Sequence, residues 1–134
     1  MALITTRVEG ALRVHRVWGP LTCADVMNRM RNQAHAPARR ALHLWDLSAA
    51  ELVGWDFDAA LQLAEWLRLV FPERMRAALV APSADTYGTA RIVFATVQSR
   101  IPLAGGVFRC EAEARAWLAC LDDQPRMSRT GTAP

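Results

Sequence analysis

Asp56 and Asp58 stand where an amphipathic segment begins. Carboxylates at a helix start satisfy exposed backbone amides and the positive end of the helix dipole, which is one reading of them. In the other they present negative charge to a basic partner. Beside them are Trp55, Trp66 and Leu69, and a helical wheel leaves Trp66 and Leu69 off the apolar side of the segment. A second group, Ser83, Asp85, Tyr87 and Arg91, surrounds the end of a short apolar run and the start of the next amphipathic segment. Strand ends in open α/β sheets and helix N-termini both receive anions, so these residues are ligand-binding candidates, with Arg91 reaching for an anionic head group. Their plain reading is capping by Ser83 or Asp85, core filling by Tyr87, and pairing of Arg91 with a carboxylate. Asp46 and Ser48 close a third apolar run. They either meet a ligand or partner loop, or satisfy amides of the loop that follows.

Other reactive side chains form no constellation. His15, His35 and His43 are scattered, and His43 falls inside an apolar run as a hydrogen-bonded core residue would. Cys23, Cys110 and Cys120 are odd in number and make no CxxC or Cys/His ligand spacing, so reduced thiols in a cytosolic protein are the expectation. Arg29, Arg31, Arg39 and Arg40 form a basic cluster without interleaved aromatics, which reads as a solvated face more than an RNA site. P-loop, GxGxxG, HExxH and GxSxG motifs are absent. No metal or cofactor is therefore expected, and the prior for an enzyme is low.

The chain has 134 residues, 52% of them hydrophobic and 22% charged, the balance of one ordinary globular domain. Every basic residue apart from the histidines is Arg, and a net charge of +3 spread along the chain argues against nucleic acid as a partner. No uncharged run approaches the roughly 18 residues of a membrane span, and the N-terminus lacks the pattern of a secretory signal, so cytoplasmic location is the expectation.

These residues must be positioned by alternating strands and helices. Residues 3–8 and 11–18 form two strands joined at Glu9-Gly10, with one face of the second wet, and Trp18-Gly19-Pro20 ends the pair. Thr22, with Asp25 three residues on, caps a helix that turns Val26, Met27, Met30 and Ala34 inward and stops by Pro37. Ala41–Leu47 is a central strand, and Ser48–Trp55 a loop hinged at Gly54. The next helix runs to about Phe71, with Phe57, Ala60, Leu61, Ala64, Leu67 and Phe71 facing in. Met75–Ala81 is a strand covered on both faces, followed by a helix with Tyr87, Ala90, Phe94, Val97 and Ile101 inward. Gly105-Gly106 turns into a short strand, Val107–Arg109. The last helix spans about Glu111–Leu121, within a domain covering residues 1–122, and 123–134 read as a flexible tail. The order β-β-α-β-α-β-α-β-α implies an α/β fold: a mainly parallel five-stranded sheet, an antiparallel N-terminal hairpin and four helices.

This order resembles the SpoIIAA-like group, related to STAS and Sec14-type domains. The resemblance rests on Asp46-Leu47-Ser48 closing a strand, Tyr87-Gly88-x-Ala90-Arg91 opening a helix, and Val107-Phe108-Arg109 leading into a helix with Ala116-Trp117-Leu118. Such proteins are mostly small bacterial domains, and the resemblance implies a binding module more than a catalyst. Anti-sigma-factor antagonists of this group carry a phosphorylatable Ser or Thr at the start of the helix after the central strand. Here no Ser or Thr occurs from Ala49 to Pro82, so phospho-switching there is not expected. The resulting expectation is a non-enzymatic module that binds a protein partner or itself through Trp55, Asp56, Asp58, Trp66 and Leu69. The alternative is a carrier or sensor of a small amphipathic ligand, held in an apolar pocket near Tyr87, Phe94 and Trp45 with Arg91 at its mouth.

Overall fold

The computed structural model describes residues 2–34, 41–71 and 74–132, with side chains described as far as residue 121. The elements are β1 (Leu3–Glu9), β2 (Leu12–Leu21), α1 (Cys23–Arg31), β3 (Leu42–Leu52), α2 (Phe57–Val70), β4 (Met75–Val80), α3 (Ala84–Gln98), β5 (Leu103–Phe108) and α4 (Glu111–Thr132). They build one five-stranded sheet in the order β1-β2-β3-β4-β5, with β1 antiparallel to β2 and the remaining pairs parallel. This is the expected architecture.

The strand order dictates the layering. Each crossover from β2 to β5 moves one strand in the same direction, and right-handed crossovers then put every connecting helix on one face. Accordingly, the larger core cluster joins the sheet to α1, α2 and α3 through Val17, Trp45, Leu47, Leu63, Leu67 and Val97. The smaller cluster, on the opposite face, joins Val14, Leu44 and Val80 to Ala114 and Leu118 of α4. No helix among the described residues is long and apolar enough to cross a membrane.

Local chemistry sets most of the helix starts. Thr22 and Asp25 exchange hydrogen bonds in a capping box, Asp56 accepts from Ala59 N at 2.8 Å, and Ser83 accepts from Thr86 N at 3.3 Å. Caps of this kind are each worth about 1 kcal/mol.

Several element ends differ from the sequence reading. β2 continues through Gly19 and Pro20 to Leu21, because β1 stops pairing at Trp18 and the missing amide of Pro20 leaves no ladder broken on that side. β3 runs on to Leu52, so Ser48–Leu52 is strand rather than loop. Gly105 and Gly106 lie inside β5 instead of turning into it. A Cβ at Gly105 would sit 1.8 Å from Ala77 O and 2.8 Å from the Phe94 ring, so the close approach of β4 and the packed ring explain the glycine. α4 continues to Thr132, beyond the expected end at Leu121. β2 has no wet face along its centre, since Val14 and His15 are both buried.

Candidate functional site

Helix α2 shows how far the wheel held. Its inner side is Ala60, Leu63, Ala64 and Leu67, followed by Phe71, whereas Phe57 is 61% exposed. Trp55 explains the difference. Two residues earlier, it turns inward, packs against the main core, and donates its indole N–H to Leu21 O at 2.9 Å. Trp55 is therefore an anchored loop residue and not part of an exposed patch. Trp66 is half-buried against the same core, with the Arg31 guanidinium 5.7 Å from its ring centroid. Leu69 is 78% exposed, and Asp56 and Asp58 lie at the surface of the first turn. The outward side thus offers Asp56, Phe57, Asp58 and Leu69, a set in which Phe57 replaces the two tryptophans.

At the carboxyl end of β4, Ser83 is the N-cap of α3 and Asp85 lies exposed in its first turn. Tyr87 is half-buried instead of filling the core. The guanidinium groups of Arg91 and Arg109 stand 5.7 and 5.0 Å from its ring centroid. Arg109 also donates to Pro82 O through Nε at 2.9 Å and Nη2 at 2.7 Å. The residues are brought together, but as a stack that ties β5 to the start of α3. Ligand crevices at strand ends arise where the strand order reverses. In a sheet ordered β1-β2-β3-β4-β5 it never does.

Asp46 and Ser48 sit at an irregularity in β3. Arg16 pairs with Asp46 and Trp18 with Ala49, so Leu47 and Ser48 together oppose Val17 in a β-bulge. Asp46 Oδ1 accepts from Ser48 N at 3.0 Å and from Ser48 Oγ at 2.6 Å, while Oδ2 accepts from Arg16 at 2.6 Å. Arg16 also donates to both oxygens of Glu111, at 3.0 and 3.2 Å, and Arg115 bridges Glu111 and Glu9. Hydrogen bonds from Arg16 and then Arg115 hold the Glu111 carboxyl down at about 2. This ionic chain, which joins β1, β2 and β3 to the first turn of α4, was invisible in the sequence because its members are far apart along it.

A buried polar chain was also missed. Arg29 donates to Ile4 O at 2.7 Å and to Thr6 Oγ1 at 3.1 Å, and Thr6 Oγ1 is 2.9 Å from His15 Nδ1. His15 Nε2 is 3.0 Å from His43 Nδ1. Guanidinium only donates, which frees the Thr6 hydroxyl proton for Nδ1. His15 then carries its own proton on Nε2 and gives it to His43. Both histidines are fully buried, and burial, with the nearby His43, Arg29 and Arg13, drives the His15 pKa down to about 2. Burial likewise raises the Cys23 thiol, so it is no ready nucleophile. No group of three metal-ligating side chains occurs among the described residues.

An unoccupied space lies between the sheet and α1, α2 and α3. It is a cavity of about 110 Å³ lined entirely by apolar residues, among them Trp45, Leu52, Trp55, Leu63, Leu67 and Phe94. The expected pocket is present near Trp45 and Phe94, but Tyr87 and Arg91 do not line it. Two small residues, Ala77 on β4 and Ala90 on α3, border the void. At roughly 24 cal/mol per Å³, leaving such a volume empty costs about 2–3 kcal/mol.

No family model matches the chain, and no curated protein matches it in sequence. Among solved structures it is similar to an uncharacterised protein of the DUF3478 family with a SpoIIAA-like fold from Shewanella loihica PV-4. The TM-score is 0.55 at 18% identity, over 87% of this chain and 93% of that one. Five strands in sequential order, an antiparallel first pair, three helices on one face and a fourth on the other agree with that likeness: the chain has a SpoIIAA-like α/β fold.

Proposed function

We propose that the protein is a non-catalytic binding module that docks a protein partner, or a second copy of itself, on the outward side of α2 and the loop before it. The observation that carries this reading is the exposure of Leu69 and Phe57, 78% and 61%, on a helix whose inner side is already filled. Asp56 and Asp58 flank Phe57 at the start of the helix, so the complementary surface there is apolar with basic side chains. Those carboxylates are permanent, and with no Ser or Thr between Ala49 and Pro82 the contact operates without a phosphorylation switch at this position.

Sedimentation velocity, with cross-linking in lysate, tests the reading. Phe57→Ser combined with Leu69→Asp should abolish self-association or partner retention while shifting the melting temperature little, because both side chains face water. Trp66→Ala should instead lower stability by roughly 1–3 kcal/mol, as expected for a half-buried indole stacked under a guanidinium. A strictly monomeric wild-type protein that retains no partner overturns the proposal.

A further inference from the structure

We infer that the cavity beneath α2 is a binding site for a small, neutral, apolar molecule, of the size of a single aromatic ring or a short alkyl chain. This inference is independent of the docking surface on the other side of the helix.

The chemistry follows from the walls. Every lining residue is apolar, from Val26 and Met30 of α1 across the sheet to Phe94 of α3. A carboxylate, phosphate or hydroxyl inside would lose its water and find no partner, which excludes charged and strongly polar ligands. The arginines that could serve a head group, Arg91 and Arg109, are stacked on Tyr87, and none of the three borders the space. No ionisable residue lines it, so occupancy should not depend on pH.

Size narrows the class further. A cavity of about 110 Å³ is somewhat smaller than an engineered apolar cavity of about 150 Å³ that stays dry and binds benzene or xenon. A whole lipid tail does not fit. Access is best placed at Trp55. It lines the space from the irregular segment between β3 and α2, follows Gly54 at φ 72°, and is only half-buried. Its indole is tethered by the hydrogen bond to Leu21 O, itself on a lining residue, so opening this rim breaks one bond and no secondary structure.

The test is thermal unfolding of the full chain in buffer alone, in toluene-saturated buffer, and with octanoate. Toluene should raise the melting temperature saturably by a few degrees, since a ligand held only by the folded state stabilises it. Octanoate should give little or no rise. Ala90→Leu and, from the opposite wall, Leu67→Phe fill the space from separate elements. Whichever of them folds should lose the toluene shift. No toluene shift in the wild-type protein overturns the inference, as does an undiminished shift in a filled variant, which would mark surface adsorption. A larger rise with octanoate than with toluene overturns the neutral class in favour of an amphiphile with its head outside.

Discussion

His15 has the sharpest pH consequence of any single residue. Its folded pKa, about 2, lies below the usual value near 6.5. Between those values the unfolded chain binds a proton that the folded protein refuses, so stability is complete above pH 6.5 and falls as the pH drops toward 2. One proton gives a slope of about 1.4 kcal/mol per pH unit. The groups facing it, Thr6 on β1, Arg13 on β2, His43 on β3 and Arg29 on α1, include no carboxylate that could offset the charge. Urea unfolding at pH 7.5, 6 and 5 should show this decline before most carboxylates titrate. His15→Gln should flatten it while lowering stability at pH 7.5, and an equally steep decline in the variant would remove His15 as its cause. His43 was readable as a core residue from its place in an apolar run. His15 was not, because alternation with Leu12 and Val14 made it look solvent-facing, and the helix that covers it comes later in the chain.

Among the elements, β5 gives the most direct check of why the sequence misleads. A glycine pair next to apolar residues reads as a turn, yet Gly105 and Gly106 are paired in register with Ala77 and Ala78. The two glycines differ in what surrounds them. At Gly105 a methyl group would strike Ala77 O and the Phe94 ring, whereas at Gly106 it would meet only the Phe108 ring, at an ordinary 3.6 Å. Gly105→Ala should therefore cost about 1–3 kcal/mol or more, and Gly106→Ala close to nothing, judged by urea midpoints at constant slope. Equal midpoints would mean that β4 yields easily. Element existence and order were legible because apolar periodicity is strong in each segment. The ends were not, since Gly19-Pro20 and Gly105-Gly106 are turn signals whenever the neighbouring strand is unknown. Phe57 failed for a similar reason: the wheel treats a helix alone and cannot know that Trp55 takes the inward place.

At the scale of the whole molecule, the topology was readable and the candidate sites only partly so. Strand order decides that three helices cover one face, and the open space lies between that layer and the sheet. A rule for strand-end ligands applied to a sheet without an order reversal pointed to Tyr87 and Arg91, whereas the void borders Trp45 and Phe94 and neither Tyr87 nor Arg91 lines it. The β3 bulge carries this arrangement further. Before it Trp45 and Leu47 point toward the three helices; after it Ala50 and Leu52 do, while Ala49 and Glu51 point to solvent. The extra residue is thus a frame shift written into a strand. Deleting Ser48 should therefore remove the bulge while leaving Ala50 and Leu52 inward and Glu51 outward in an unchanged register, so a cooperative melt should survive; its loss would mean that the strand needs the bulge itself. Ser48→Ala removes only one hydroxyl contact, at a cost of about 1 kcal/mol. In this strand the added residue changes how the sequence is counted and leaves the set of inward side chains as it would be without it.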